Sequence, residues 1–266
     1  MIGQDLTVII PAYNEEATIG DVLEAVAAAP FSKQLVMVDD GSSDDTAGAV
    51  DRWIKRAGSS GPGYTVEVIR HGVNRGKGAA IRSGLARAQC PFTLVQDADL
   101  EYDPGDYPAL VGPILSGEAD VVYGSRYLLP GRNLPWTPNR ACVVLLNVMV
   151  RLFYGYQITD EATCYKAFKT DDLRRMDLRC DRFEFCPEVT AKACRMGLRL
   201  LEVPVRYSPR SHREGKKIGW KDGVQAIATL LRWRFATFLP GLASVGDLPG
   251  PRGLKAVGPT ATANRS

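Results

Sequence analysis

The sequence predicts an α/β protein built on a mostly parallel, Rossmann-like sheet flanked by helices. Three observations carry this. In the first half, short and almost wholly apolar runs alternate with longer segments of helical periodicity. The apolar runs lack an in-out alternation, as strands covered on both faces do. Each run ends in a cluster of polar residues, where sheets of this kind bind their ligands.

Residues 6–10, Leu-Thr-Val-Ile-Ile, are the first strand, which ends at Pro11. A helix is predicted over 17–29, because Ile19, Val22, Leu23 and Val26 recur on one face. Residues 35–38 are the second strand. The helix over 44–55 opens on acidic residues, which suit the positive end of a helix dipole. Residues 65–70 are the third strand, 77–88 the third helix and 92–96 the fourth strand. Such alternation requires right-handed crossovers and a parallel sheet covered on both faces. The second half is less regular. A short strand over 120–126 runs into a basic turn, and a helix covers 141–154. Strands are expected at 165–169 and 200–207, with a helix over 188–195 between them. A charged loop occupies 209–219, and an amphipathic helix covers 222–238. The Gly-, Pro-, Ala- and Thr-rich stretch 244–266 reads as a disordered tail.

Composition narrows the function. At 266 residues, 45% hydrophobic and 24% charged, this is ordinary globular material. A net charge of +3 is too small for bulk nucleic-acid binding. Charge placement is uneven, with acids at 39–45 and around Asp97, and bases at 206–221 and at Arg232 and Arg234. A basic late third suits phosphates or an anionic membrane surface. The six cysteines form no C-x-x-C pair and no zinc spacing. They read as reduced packing residues of a cytoplasmic protein. No basic stretch followed by an apolar core opens the chain, so no signal peptide is expected. The most apolar segment, 141–150, is closed by Arg140 and Arg151. It has about half the ~20 residues a membrane span needs and is expected as a buried or interfacial helix.

Four polar loops follow the first four strands. They are Pro11-Ala12-Tyr13-Asn14-Glu15-Glu16, Asp39-Asp40-Gly41-Ser42, Asn74-Arg75-Gly76-Lys77-Gly78 and Asp97-Ala98-Asp99. In an extended backbone, residues two apart face the same way, so Asp97 and Asp99 point together. Carboxylates that crowd stay ionised only with a positive partner among them. Their oxygens suit Mg2+ or Mn2+ shared with substrate phosphates, which would bridge a diphosphate and stabilise its leaving group. A solvated acidic turn is the ordinary alternative. Asp39 and Asp40 can accept hydrogen bonds from a base or ribose, while Ser42 or Ser43 caps the next helix. Gly76-Lys77-Gly78 opens a helix like a phosphate cradle, but without the dinucleotide or Walker spacing. Tyr13 either stacks on a base or holds its own loop. His71 and His212 are loop residues with no catalytic pattern around them.

Five stretches in order carry a resemblance. They are Val8-Ile9-Ile10-Pro11-Ala12-Tyr13-Asn14-Glu15, Val38-Asp39-Asp40-Gly41-Ser42-Ser43-Asp44, Asn74-Arg75-Gly76-Lys77-Gly78, Gln96-Asp97-Ala98-Asp99 and Gly124-Ser125-Arg126. Together they resemble the inverting family 2 glycosyltransferases of the GT-A fold, and within them the dolichyl- or polyprenyl-phosphate sugar synthases. Thr159-Asp160-Glu161-Ala162-Thr163-Cys164-Tyr165-Lys166 and Glu214-Gly215-Lys216-Lys217 extend the likeness towards Phe238. The resemblance implies one GT-A domain over 1–240, with a nucleotide-sugar half (1–126) and an acceptor half (127–240). It implies a donor site of Pro11, Tyr13, Glu15, Val38, Asp40, Lys77, Asp97 and Ala98, with a metal on Asp99 and Glu101. Phosphate clamping would fall to Arg126, to Arg210 or Arg213, and to Lys217. The implied reaction moves a hexose from a donor of the GDP-mannose or UDP-glucose type to a polyprenyl or dolichyl phosphate. Two departures stand out: Glu101 where relatives often have Gln, and Ala162, with Glu161 beside it, where relatives tend to carry a second acid.

A lipid phosphate is already an anion near neutral pH and needs no base to attack the sugar. It needs cations that bring it beside a diphosphate. A hydroxyl acceptor would need a base, for which Asp160 is the candidate. The 141–154 and 222–238 helices read equally as interfacial or as core helices. The implied enzyme would sit peripherally at the cytoplasmic face of the membrane, or on a small membrane partner. An aspartyl phosphatase is disfavoured, because Leu100 and Glu101 follow the D-x-D where that chemistry wants Thr or Val. A silent binding module has only Ala162 in its favour.

Overall fold

A computed structural model describes residues 5–129, 136–209, 220–238 and 240. The expected loop beyond Pro209 and the tail lie outside the described residues, and with them Arg210, His212, Arg213 and Lys217. The strands are β1 (Leu6–Ala12), β2 (Lys33–Asp39), β3 (Ser60–Gly61), β4 (Tyr64–Arg70), β5 (Phe92–Val95), β6 (Val121–Ser125), β7 (Lys166–Lys169) and β8 (Leu200–Pro204). They form one sheet in the order β3-β4-β2-β1-β5-β7-β6-β8. The helices are α1 (Ile19–Ala28), α2 (Thr46–Ala57), α3 (Lys77–Leu85), α4 (Tyr107–Leu115), α5 (Pro138–Tyr154), α6 (Thr170–Arg175), α7 (Phe185–Arg195) and α8 (Trp220–Phe235).

The period of two along β1 feeds two cores. Leu6, Val8 and Ile10 pack with α1, α2 and α4, while Ile9 packs on the other face with α3, α5, α7 and α8. Gly84 lets α3 lie close on β1, since a Cβ there would stand 2.5 Å from the Ile9 side chain. β1 runs on through Pro11 to Ala12, in register with Val38 and Asp39 of β2. α1 begins later than expected, because Thr18 N and Ile19 N both donate to the Glu15 carbonyl and close a turn first.

The sheet is mostly parallel, as expected, and its antiparallel pairings beyond β5 are both made by β7. β1, β2, β4 and β5 are parallel to their neighbours in that group, and β6 is parallel to β8. β7 is antiparallel to both β5 and β6. This reversal matters for the site. Because β7 runs backwards, its leading end lies beside the trailing ends of β5 and β6. Leu94 pairs with Ala167, Tyr123 pairs with Lys166, and Gly124 N donates to Tyr165 O at 2.8 Å. The 159–165 segment is thereby carried to the edge where the polar loops gather.

A 3-10 turn (Pro104–Asp106), α4 and α6 were not expected from the pattern. Pro108, Gly112 and Pro113 interrupt the periodicity of α4, although Pro108 sits in its first turn, where no N–H partner is needed. β8 stops at Pro204, short of the expected end, and Tyr207 makes an isolated bridge with Tyr102. α5 starts at Pro138 under a Thr137 cap, with Arg140 N donating to Thr137 Oγ1 at 3.2 Å, and ends at left-handed Gly155. None of the described helices is long and apolar enough to cross a membrane.

Candidate active site

The chain builds β2 and β4 on one side of β1 and then returns to place β5 on the other. The crevice outside the carboxyl ends of β1 and β5 is therefore a topological switch point, where open α/β sheets bind ligands. Pro11 and Val38 are buried register partners beside it and shape its floor with apolar surface and backbone. Tyr13 follows, half-buried.

The first two loops are stitched together. Asn14 takes a left-handed backbone, φ 53°, which asparagine tolerates. Its N–H donates to Ser42 Oγ at 3.0 Å, and its Oδ1 accepts from Ser43 N at 2.8 Å. Glu15 N donates to Thr46 Oγ1 at 2.8 Å. The serines therefore do not cap α2 as expected. The N-cap position is Asp45, whose side chain makes no capping bond, and Asp44 before it accepts from Thr46 N at 3.0 Å. The Thr18 hydroxyl lies 2.9 Å from the Ala98 carbonyl and 3.1 Å from Glu15 Oε2, which ties the β1 loop to the β5 loop.

Asp40 reaches the edge with its oxygens already engaged by protein. Oδ1 lies 2.6 Å from His71 Nδ1 and accepts from Arg75 N at 3.0 Å; Oδ2 accepts from Gly76 N at 2.6 Å. A carboxylate only accepts, so His71 Nδ1 carries the proton between them. The other ring nitrogen, Nε2, is 2.9 Å from Ser83 Oγ. Asp40 is thus an anchor for the loop that opens α3, and His71 braces it. Gly76, at φ +96°, supplies a backbone turn that a side chain would strain.

Lys77, next in the chain, forms an ion pair with Asp97, and its Nζ lies 3.0 Å from Cys164 Sγ. Burial works against the Lys77 charge, but Asp97 overcomes it and holds the ammonium well above its ordinary range. Lys77 is the positive partner in the acidic cluster that the described residues themselves provide. Asp99 is nearly buried, and its Oδ1 accepts from Glu101 N at 3.1 Å. Glu101 Oε2 accepts from Tyr207 OH at 3.1 Å, and its carbonyl accepts from Ser208 N at 2.8 Å. The acidic turn is therefore fastened to the segment that leads into the basic 209–219 stretch.

On the other side of the crevice, Arg126 forks onto Asp160. Asp160 Oδ2 accepts from Arg126 N at 3.0 Å and Nε at 2.7 Å, and Oδ1 accepts from Nη2 at 2.6 Å. Asp160 is 0% exposed. The guanidinium also stands over Tyr207, 5.2 Å from the ring centroid. Glu202, on β8, holds the turn by accepting from Thr159 N at 2.7 Å and Asp160 N at 3.0 Å. Sequence reasoning missed Glu202, Tyr207 and Cys164, and it gave His71 no anchoring role. Cys164 lies in the Thr159–Lys166 stretch but was read there only as a packing residue; the others sit in no motif, and only their place beside a strand end could have marked them.

Asp99 and Glu101 offer hard oxygen donors at the crevice. Among the described residues, no three His, Cys, Asp or Glu side chains group closely enough to hold a metal ion unaided. The donor set fits Mg2+ or Mn2+ completed by substrate phosphates, the usual arrangement for these ions, and not a closed protein cage. Of the residues expected at the site, all but Arg210, Arg213 and Lys217 are described, and they border this one edge.

Residues 7–176 match the family model described as glycosyl transferase family 2. The chain is 29% identical over 242 residues to the undecaprenyl-phosphate mannosyltransferase of Micrococcus luteus, which covers 88% of this chain and 96% of that protein. It is 26% identical over 262 residues to the dodecaprenyl-phosphate galacturonate synthase of Rhizobium johnstonii, 94% of this chain and 72% of that one. Among solved structures it resembles the glucosyl-3-phosphoglycerate synthase of Mycobacterium tuberculosis, crystallised with Mn2+, UDP and phosphoglyceric acid. The TM-score is 0.65 at 21% identity, over 88% of this chain and 80% of that chain, which is a likeness of fold.

Proposed function

The chain belongs to glycosyl transferase family 2 and has the GT-A fold; from that premise we propose that it moves a hexose from a nucleotide-diphosphate sugar to a polyprenyl phosphate, with inversion and with Mg2+ or Mn2+. The observation that carries the acceptor class is the closed state of Asp160. A hydroxyl acceptor needs a base, yet the acid expected to serve is fully buried and held by an Arg126 fork. A phosphate monoester arrives as an anion and needs no base. The two relatives named above carry different sugars on the same class of lipid phosphate, which supports the lipid as the shared substrate and the sugar as the variable one.

In this reading residues 1–126 form the donor half and 127–240 the acceptor half of one domain. Asp99 and Glu101 hold the metal, which when bound offsets charge on the diphosphate leaving group. Lys77 holds Asp97 in place beside the sugar. Arg126 positions the acceptor side, and Arg210, Arg213 and Lys217 supply cations for the two phosphates. The Asp40 anchor sets the course of the loop that delivers Lys77.

A groove of about 280 Å3 lies beside this edge, lined by Tyr127, Arg140, Val144, Asn147, Ile158 and Thr159. It opens beside α5, whose outer face exposes Val144, Leu145, Val148 and Leu152. α8, joined to α5 by Tyr154 OH donating to Leu230 O at 2.6 Å, exposes Val224, Leu231 and Phe235. Arginines border both faces, as on helices that lie in a membrane interface. We assign this surface to the prenyl chain and the lipid surface that carries it.

The test uses purified protein with Mg2+ or Mn2+, a short polyprenyl phosphate and a panel of GDP- and UDP-hexoses, read by mass spectrometry. One donor is expected to give a lipid-phosphate hexose, and Asp99→Ala to lower turnover by ~100-fold or more. Nucleotide release with glycan or small hydroxyl acceptors, and no lipid product, would overturn the reading.

A further inference from the structure

Cys164 touches the donor residue Lys77, and Cys186 lies behind it. Cys164 Sγ is 3.0 Å from Lys77 Nζ and 3.5 Å from Cys186 Sγ. The two thiols are unlike. Cys164 is half-buried, whereas Cys186 is buried and its S–H can also donate to the Thr163 carbonyl at 3.3 Å. The Cys186 S–H holds the Cys164 thiol below its ordinary range; Lys77 adds to this, while burial and Asp97 oppose it. Cys164 and burial together push Cys186 well above that range. The other half-buried cysteines, Cys142 and Cys180, are pushed up by burial. A thiol on a half-buried residue, beside a cation and with a second thiol in contact, is the setting of a cysteine that reacts with oxidants and is then resolved.

We propose that Cys164 is a modification site for hydroperoxides, that Cys186 resolves it as a disulfide, and that this withdraws the sulfur from Lys77 and impairs transfer. The steps balance. The Cys164 thiolate attacks a peroxide oxygen; an S–O bond forms, the O–O bond breaks, and the alkoxide leaves and takes up a proton. The Cys186 sulfur then attacks the Cys164 sulfenic acid and gives up its proton. The S–S bond forms, the S–O bond breaks, and water leaves. Two thiols are oxidised by two electrons, and the peroxide is reduced to alcohol and water. The sulfurs, 3.5 Å apart, must close to the ~2.05 Å of a disulfide.

The crosslink does not depend on the proposed reaction; its effect on transfer does. The full chain is treated with one equivalent of hydrogen peroxide, its remaining thiols are alkylated, and it is digested without reduction. The expected result is a linked pair of Cys164 and Cys186 peptides with Cys142 and Cys180 still alkylated. Cys186→Ala should leave Cys164 as a sulfenic acid that dimedone traps. Oxidation of Cys142 or Cys180 ahead of Cys164, or an unlinked and alkylated Cys164, would overturn the site. Transfer should fall several-fold on oxidation and recover with dithiothreitol. A complete crosslink with unchanged transfer would overturn the coupling to Lys77. If no donor supports transfer before oxidation, the reaction reading fails and the peptide map still decides the site.

Discussion

At Glu161 the chain buries a carboxyl completely. Burial pushes it up to about 7, against the opposing charge of Lys166, from an ordinary value of 4.5. Between those values the native state keeps a proton that the unfolded chain has lost. Stability is therefore greatest below the lower value and falls as pH rises through the upper one. That shift corresponds to about 3 kcal/mol once the carboxyl is ionised. Glu161→Met keeps the length and removes the charge. It should raise the unfolding free energy by about 2–3 kcal/mol at a pH of about 8, and by clearly less at about 5. Urea unfolding at the two pH values checks this, and an equal gain at both would contradict it. The Arg126–Asp160 pair makes the opposite case. Arg126→Ala leaves a buried carboxylate without its counter-charge and should cost about 3–5 kcal/mol. Arg126→Lys keeps the charge but loses the fork, so thermal melts should place it between the two. The motif residues were legible because their chemistry lies in their type and their place after a strand. Their pairings were not, because the partners come from far along the chain. Lys77 meets Cys164 at a separation of 87 residues, and Arg126 meets Asp160 at 34.

At the scale of elements, the first half was the legible part. Its strands are apolar runs and its helices keep one buried face, so pattern alone located β1, β2, β4, β5 and α1 to α3 within a few residues. Strand direction was not legible, because a short segment such as Lys166–Lys169 reads the same either way. Only its antiparallel pairing brings Asp160 and Cys164 to the edge. α4 was hidden by its own Pro and Gly residues. The two readings of the late helices divide within α5 itself. Val143, Leu146, Met149 and Val150 are buried, while Leu152 is 73% exposed; on α8, Phe235 is 78% exposed. The double substitution Leu152→Glu with Phe235→Glu should leave the melting temperature little changed, since neither side chain packs in the core. It should sharply weaken flotation with anionic vesicles. Unchanged flotation would remove these helices from the membrane surface.

For the whole molecule, one sheet edge gathers both sets of groups that the proposed reaction requires. The acids and Lys77 sit at the switch point between β1 and β5. The Arg126 fork and the start of the basic stretch sit across β7, β6 and β8. Tyr207 and Ser208 join the two through Glu101. Such a site is proposed to serve an acceptor that is already charged. The most direct measurement of this compares a polyprenyl phosphate with the corresponding polyprenol as acceptors, across pH. The account predicts product from the phosphate alone, with a rate that rises through the second phosphate ionisation near ~6 and then levels. Product from the alcohol, on a rising limb set by a protein base, would contradict it.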